Sequence, residues 1–296
     1  MLTKIDKTRR VSLGLMRGLP LLALLLAISV ARGQEINSML MNSTFRIEGP
    51  SKVKPGNTTF GTVFVIGKPV GKPDDKGMVQ ASYVLVTAAH VLDEIAGEQA
   101  ILTLRRKSQD GSYSKFPYAT KIRDGQTNRY VVHPSADVAV MYISLPSEVA
   151  LTLLPTAFLV DDARLEHLEV HPGDEFLCLG FPLYVDLLGF PVVRSGLLAS
   201  YPITPSKTVK TFYYNFHVFP GNSGGPVYFD FANRAYGGAT HIGYEWGIVG
   251  LVSQQVSSQL FPDEKLDTAI IVPSSFILET IEMLPAVPVA DQTNHK

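Results

Sequence analysis

The segment around Ser223 carries the strongest chemical signal in the sequence. Glycines flank this serine on both sides in the run Phe219–Pro226, FPGNSGGP. A hydroxyl is a poor nucleophile until a base takes its proton, and a tetrahedral intermediate needs hydrogen-bond donors aimed at its oxyanion. Such a glycine-rich turn can direct the backbone amides of Gly221 and Ser223 at one point. The sequence therefore predicts Ser223 as a nucleophile and these two amides as an oxyanion hole.

Two upstream segments supply the other groups that this chemistry needs. His90 ends the motif Thr87-Ala88-Ala89-His90 after an apolar strand, and Asp137 opens the apolar run Asp137–Met141. Each residue alone is typical of a structural role, since histidines occur in cores and aspartates begin strands after turns. Their joint occurrence in the order His, Asp, Ser predicts His90 as general base and Asp137 as the group that orients it.

The string Gly221-x-Ser223-x-Gly225 also fits the nucleophile elbow of another hydrolase class. That elbow requires a helix directly after the serine, with the acid and the histidine both downstream. Here Pro226–Phe229 continues as a strand, and the downstream histidines are His241 and the terminal His295. The elbow interpretation is therefore rejected.

Other residues that could do chemistry favour structural interpretations. Cys178 lies inside a short apolar run, which predicts a buried structural thiol, because burial in apolar surroundings raises the thiol pKa. Four pairs could suggest a metal, but turn and connector sequence surrounds them; they are His167 with His171, His133 with Asp137, Asp74 with Asp75, and Asp161 with Asp162. We predict no metal and no cofactor.

The elements that would position these residues are mostly short strands. Runs rich in Val, Ile, Thr, Tyr and Phe alternate with clusters of Gly, Pro, Asp and Lys. The predicted strands are Thr58–Ile66, Ser82–Thr87, Ala100–Leu104, Tyr130–Val132, Val138–Ser144, Glu175–Leu179, Val192–Leu198, Lys210–Val218, Pro226–Phe229, Trp246–Ser253 and Thr268–Val272. Helical periodicity predicts one terminal helix over Phe276–Leu284, capped by Ser274 or Ser275. This pattern indicates an all-β fold built from β-barrels.

The amino terminus has the composition of a targeting segment. Residues 1–33 contain six basic residues and one acidic residue, and they include an apolar run over 19–31 that is short for a membrane span. We predict a signal peptide over 1–33, with an uncleaved anchor as the alternative. The remainder holds 20 basic and 26 acidic residues, which argues against nucleic acid as a partner. We expect an exported protein, periplasmic or extracellular, with no membrane contact after signal removal.

The three motifs together resemble those of trypsin-like serine proteases with the chymotrypsin fold. Further segments such as Gly61–Val65, Arg194–Gly196 and Ile271–Ser274 are most similar to the disulfide-free bacterial branch that includes HtrA-type proteases. The resemblance implies two six-stranded antiparallel β-barrels with a C-terminal helix, one over 34–150 and one over 151–296, with the site between them. The chain departs from that branch in lacking a PDZ domain and in the insertion Pro69–Met78.

The resemblance also implies which residues meet the substrate. It places Ser253 and Gln255 on the strand lining the substrate channel, and His217 at the floor of the primary pocket. His217 is not an acid, so we expect no trypsin-like preference for Arg or Lys. A modest apolar side chain is expected there, or an acidic one if His217 points inward. Asn222 replaces the aspartate that pairs with a new amino terminus in trypsins, so no zymogen cleavage is expected. Local hydrogen bonds from Asn222 and the glycines should hold the loop.

The sequence thus predicts an exported serine endopeptidase that forms an acyl-enzyme on protein or peptide substrates. A second hypothesis is a catalytically silent protein-binding or chaperone-like barrel of the same fold. A third is a hydrolase of non-peptide esters that uses the same site. Intact His90, Asp137, Ser223 and Gly221 favour an enzyme over the silent barrel.

Overall fold

The computed structural model describes residues 36–71, 80–257 and 265–286. It begins with helix α1, whose described part covers residues 36–43. The next elements, in chain order, are β1 (Thr44–Pro50), β2 (Thr58–Val70), β3 (Gln80–Thr87), α2 (Ala89–Asp93), β4 (Gln99–Lys107), β5 (Tyr113–Lys121), β6 (Arg123–Asp124), β7 (Thr127–Asn128), β8 (Val131–Val132), β9 (Ala139–Tyr142) and β10 (Leu154–Pro155).

Eight of these strands form one sheet in the first half of the chain. Its hydrogen-bonded order is β5-β4-β1-β2-β3-β9-β8, with β10 added to β2 as a parallel strand. The other pairs of this sheet are antiparallel, and β6 pairs separately with β7. Thr87 at the end of β3 lies opposite Ala139 at the start of β9, which brings the segments carrying His90 and Asp137 together.

The second half forms a closed barrel of six antiparallel strands, in the order β11-β12-β13-β16-β15-β14. In chain order, helix α3 precedes the strands of this barrel, α4 connects β12 to β13, and α5 follows β16. The bounds are α3 (Asp162–His167), β11 (Glu175–Gly180), β12 (Val192–Leu198), α4 (Ser206–Val209), β13 (Phe212–Asn215), β14 (Pro226–Tyr236), β15 (Ala239–Ser257), β16 (Lys265–Pro273) and α5 (Ser274–Glu282).

The apolar side chains form two clusters of buried residues. One joins the first sheet to the outer surface of the barrel and to α5, and includes Phe64, Leu85 and Ile277. The other fills the barrel and includes Phe176 and Phe229. Helix α1 belongs to the first cluster through Ile36 and Leu40, so this part of the chain belongs to the core.

The all-β class, the six-stranded second barrel and the terminal helix agree with the sequence-based expectation. In the first half, eight strands of unequal length stand where six were expected, because short segments such as β8 and β10 also pair with the sheet. Strands β1 and β5 and helices α1, α2 and α3 were not predicted, since each is short or lacks a clear apolar period. The chain leaves the first sheet after Pro155, slightly beyond the predicted boundary at residue 150.

The predicted serine cap of the last helix is wrong. Helix α5 begins at Ser274 with Pro273 at the cap position and no side-chain cap bond. The Ser274 hydroxyl donates to the carbonyl of Val160, and the Ser275 hydroxyl donates to Asp162 at 2.9 Å. These serines therefore tie the helix to the segment leading into α3. Among the described residues, no helix is long and apolar enough to cross a bilayer.

Candidate active site

His90 and Asp137 form a hydrogen-bonded pair at the edge of the first sheet. His90 lies in the first turn of α2, directly after β3, and Asp137 precedes β9. The His90 Nδ1 lies 2.7 Å from Asp137 Oδ2, and the His90 backbone amide donates to Asp137 Oδ1 at 3.0 Å. A carboxylate only accepts hydrogen bonds, so the ring proton lies on Nδ1 and Nε2 is left with a lone pair.

The electrostatics of this pair favour an ionised acid and a basic imidazole. Burial opposes the charged form of both side chains, lowering the pKa of His90 and raising that of Asp137. The hydrogen bond and the opposite charge of the partner outweigh burial. The pKa of His90 is therefore raised above its ordinary value, and that of Asp137 is lowered. Glu94 also raises the pKa of His90.

Ser223 is joined to this pair through Ser253. The Ser223 hydroxyl donates to the carbonyl oxygen of Ser253 at 2.9 Å, and the Ser253 hydroxyl donates to Asp137 Oδ2 at 2.5 Å. Ser223 and His90 both line two adjoining cavities of about 490 and 570 Å³. In the described part of the chain, the Ser223 hydroxyl makes its hydrogen bond to Ser253 and none to His90. It must rotate toward His90 Nε2 before its proton can be transferred.

The backbone amides of Gly221 and Ser223 are both free to bind a ligand oxygen. Neither donates a hydrogen bond to another described residue. The carbonyl of Pro220 accepts from Leu183 N at 2.9 Å, and the carbonyl of Asn222 accepts from Gly225 N at 3.0 Å. In a trans peptide the carbonyl and the N–H point in opposite directions. These bonds therefore hold the N–H of Gly221 on the side opposite to Leu183 N, and the N–H of Ser223 on the side opposite to Gly225 N.

The glycines on both sides of Ser223 are required by this backbone. Gly221 has φ +98° and Gly224 has φ +84°, a region that residues with a side chain rarely adopt. A Cβ at Gly221 would lie 2.2 Å from the Phe181 carbonyl oxygen, and one at Gly224 would lie 2.2 Å from the Thr62 carbonyl oxygen. No residue with a side chain fits either position without moving the loop.

Asn222 and the glycines hold the loop by local hydrogen bonds, as the sequence predicts, and these are backbone bonds. The Asn222 amide donates to Phe219 O at 3.0 Å, Gly224 N donates to Val252 O at 2.7 Å, and Gly225 N donates to Asn222 O at 3.0 Å. Asn222 is only 1% exposed, and its side-chain Nδ2 and Oδ1 are without a hydrogen-bond partner among the described residues. The Thr62 hydroxyl, which donates to Gly221 O at 2.6 Å, holds the loop as well.

Two of the three predicted substrate-binding residues line the cavity beside Ser223, and the third, His217, lies next to one of them, with its Nδ1 3.4 Å from Gln255 Nε2. Ser253 and Gln255 line the cavity beside Ser223, whereas His217 is not among the residues that line it. The His217 ring lies 2.5 Å from Asp267 Oδ1 and packs on Phe219, with ring centroids 4.4 Å apart. The sequence analysis considered His217 alone at this position, whereas the structure places a carboxylate against it, from Asp267 on the distant strand β16.

Two residues of the site were missed by the sequence reasoning. Glu94 lines both cavities and lies four positions after His90, a spacing that places residues on one face of a helix. That spacing could have revealed it. Thr62 had no local signal, because its hydroxyl meets Gly221 only through a contact over 159 positions.

Cys178, His133 and His167, for which the sequence favoured structural roles, make their contacts outside this site. Cys178 is buried, and burial raises its pKa to about 12. His133 lies 3.3 Å from Glu279, and His167 packs on the ring of Tyr236. The described residues include no group of three His, Cys, Asp or Glu side chains that could hold a metal ion. Asp74 and Asp75 lie outside the described residues.

No family model matches the chain, and no curated protein matches it. Among solved structures, the chain is similar to the crystal structure of the Rv3671c protease from M. tuberculosis in its active form. The identity is 17%, the match covers 97% of this chain and 95% of that chain, and the TM-score is 0.45. A likeness of this degree carries no information about activity or substrate, so the function is argued from the site itself.

Proposed function

We propose that this protein is a serine endopeptidase. The observation that carries the proposal is the connected set of Ser223, Ser253, Asp137 and His90 around one cleft, beside two unpaired backbone amides. The oriented imidazole can accept a proton, and the amides can stabilise an oxyanion. The resemblance to the HtrA-type branch is part of the proposal and depends on the sequence motifs alone.

Each residue has a defined step in the proposed mechanism. The Ser223 hydroxyl rotates from Ser253 O toward His90, whose Nε2 takes the proton as Oγ attacks the peptide carbonyl carbon. Asp137 holds the His90 ring and stabilises the imidazolium, while the Gly221 and Ser223 amides bind the oxyanion. His90 then gives the proton to the leaving amine, and an acyl-enzyme remains. Water attacks that ester with His90 again as base, which releases the acid and restores Ser223.

A fluorophosphonate probe tests the assignment. The full chain should be labelled once, and Ser223→Ala and His90→Ala should not be labelled. The matched control is Ser195→Ala, which removes an exposed serine on β12 and should label like the wild type. Labelling that persists in Ser223→Ala would show that another residue reacts and would contradict the assignment. A folded wild type that never labels would favour the silent protein-binding barrel.

Peptide and ester substrates separate the remaining enzyme classes. An endopeptidase should cleave internal amide bonds of a denatured protein, with Ser223→Ala inactive. Cleavage of simple esters with no peptide product would favour the ester hydrolase instead.

We also propose that the protein is exported, from the composition of residues 1–33. Expression of the full chain in a bacterium, followed by mass analysis of the amino terminus, tests this. A protein that begins after Ala31 or Gly33 in the exported fraction is expected. An intact leader in a membrane fraction would support the anchor.

A further inference from the structure

A short apolar loop lies exposed beside the cleft. We call residues 183–188, between β11 and β12, the apolar loop. Its apolar side chains are 50–77% exposed, and they belong to Leu183, Val185, Leu187 and Leu188. Adjacent exposed apolar side chains mark interaction sites more often than isolated ones do.

The polar atoms of the apolar loop point the opposite way and fasten it to the first sheet. The Asp186 side chain is only 3% exposed and accepts from Arg46 Nη1 at 3.1 Å and from Lys115 Nζ at 3.0 Å. Arg105, which is fully buried, donates to the carbonyl of Gly189 at 2.5 Å. The loop is thus held by charged groups on its inner side, and its apolar side chains face solvent.

The backbone of the apolar loop is also strained. Leu183, Tyr184 and Leu188 have φ of +50°, +63° and +55°, which costs free energy for residues other than glycine. Strain of this kind persists where the surrounding structure imposes it, and it is concentrated at functional sites.

The apolar loop is continuous with the candidate active site. The Tyr184 ring stacks on Phe60 with centroids 3.8 Å apart, and Phe60 lines the same cavity as His90 and Ser223. The Leu183 amide donates to Pro220 O at 2.9 Å, which fixes the peptide between Pro220 and Gly221, two residues that line this cavity. The same cavity contains the apolar side chains of Val53 and Val91.

We propose that the apolar loop extends the substrate cleft and binds apolar side chains of an extended polypeptide, on the Phe60 side of the scissile bond. The inference rests on the proposed function. It names the substrate class as unfolded or flexible segments with several apolar residues on one side of the cleaved bond. The occupant is the substrate chain, because Phe60 and Tyr184 join the loop to the cavity that holds Ser223.

The test compares the wild type with the double variant Val185→Ser/Leu187→Ser. Both side chains are exposed, and neither residue has a positive φ, so the fold should be kept. The control is Ile242→Ser, which removes an 84% exposed apolar side chain from β15. Two pairs of fluorogenic peptides are used. All four peptides share one cleavage site. One pair varies the three residues before this site, and the other pair varies the three residues after it. In each pair, the apolar member carries Leu and Val at these positions, and the polar member carries Ser and Gln.

The wild type should cleave the apolar member of one pair about tenfold faster in kcat/KM, as expected for partial burial of one or two aliphatic side chains. The double variant should lose this preference, with fluorophosphonate labelling and cleavage of the Ser and Gln peptide unchanged. Ile242→Ser should behave like the wild type. An unchanged preference in the double variant would overturn the proposal. The proposal would also be overturned if light scattering showed that the apolar loop binds a second copy of the chain, or if vesicle sedimentation showed that it binds a lipid surface.

A binding measurement separates this proposal from the proposed function. In a Ser223→Ala background, fluorescence anisotropy should show about tenfold tighter binding of the apolar peptide, and the loop substitutions should abolish the difference. Binding with this pattern but without wild-type cleavage would remove the protease assignment and keep the peptide surface. Cleavage without any apolar preference would remove the surface and keep the protease.

Discussion

The Thr62 hydroxyl donates a hydrogen bond to the Gly221 carbonyl at 2.6 Å, across the junction between the first sheet and the second barrel. Both residues are buried, and the Thr62 amide also donates to Ser223 O at 2.8 Å. The first half of the chain thereby fixes two carbonyl groups, those of Gly221 and Ser223. The backbone amides of these same two residues are the candidate oxyanion donors. Formation of the site thus depends on how the two halves dock.

Thr62→Val should lower kcat about 10–100-fold with little change in KM, because an oxyanion donor acts mainly in the transition state. Thr62→Ser should keep most of the activity, since it keeps the hydroxyl. Thr280→Val is the matched control, because it removes a buried hydroxyl that donates to Phe276 O inside α5. Steady-state kinetics with calorimetry would check this. If Thr62→Val loses only stability, in step with Thr280→Val, the hydroxyl has no role in positioning.

Activity should rise with pH, with a midpoint above about 6.5, the usual pKa of histidine. In the proposed mechanism the neutral His90 is the base. Burial, which lowers the pKa of His90, is outweighed by Asp137, which raises it. Asp137→Asn should move the midpoint to lower pH and reduce kcat about 10⁴-fold. Profiles of kcat/KM from pH 5 to 9 would measure both. A wild-type midpoint below 6 would contradict the raised pKa.

The raised pKa of His90 should make stability depend on pH in the opposite direction to activity. A base whose pKa is raised on folding stabilises the folded state fully below its unfolded pKa, and this contribution is lost as pH rises through the folded value. The His90 contribution to the free energy of unfolding should therefore fall over the range in which activity appears. Denaturation curves of the wild type and His90→Gln at pH 5.5 and 8.5 should differ more at pH 5.5. An equal difference at both values would argue against the linkage.

Asn222→Asp should destabilise the protein at neutral pH by about 3–5 kcal/mol, because it places an unpaired carboxylate in a position that is 1% exposed. Acidification should recover part of the loss as the carboxyl is protonated. Asn128→Asp, at an exposed position beside Arg123, is the control and should change little. Thermal unfolding at pH 4.5 and 7.5 would check both. Full stability of Asn222→Asp at pH 7.5 would indicate that a cation reaches this site, as in a zymogen mechanism.

Arg105→Met should unfold the protein far more easily than Arg106→Met. The Arg105 guanidinium is buried between the rings of Phe45 and Phe190, donates to four carbonyls, and has its pKa lowered by burial to about 9. Losing it leaves buried acceptors unpaired, at about 1–3 kcal/mol for each group. Arg106 pairs with Glu148 in solvent and should cost less than about 1 kcal/mol. Similar melting temperatures for the two variants would contradict this.

The sequence by itself determined the class of the fold and predicted the candidate catalytic residues. Runs rich in Val, Ile, Thr, Tyr and Phe between turn residues predicted most strands of the barrel, because strand and turn preferences are local. The FPGNSGGP run predicted a tight turn at Ser223, since only glycine tolerates the backbone at Gly221 and Gly224. The order His90, Asp137, Ser223 predicted residues that line one cavity, and His90 and Asp137 are hydrogen-bonded there, although nothing local gave this geometry.

The tertiary structure alone decided how these residues are held. Thr62 reaches Gly221 over 159 positions, and Asp267 reaches His217 over 50, so no local pattern could predict either contact. The side chain of Asn222 is buried without a hydrogen-bond partner among the described residues, and this burial depends on the residues that pack around it. The outward direction of the apolar loop depends on Asp186 finding cations on the first sheet. Each of these depends on tertiary packing, either between the two halves or within the second barrel, where steric fit and charge pairing act between residues that are distant in the chain.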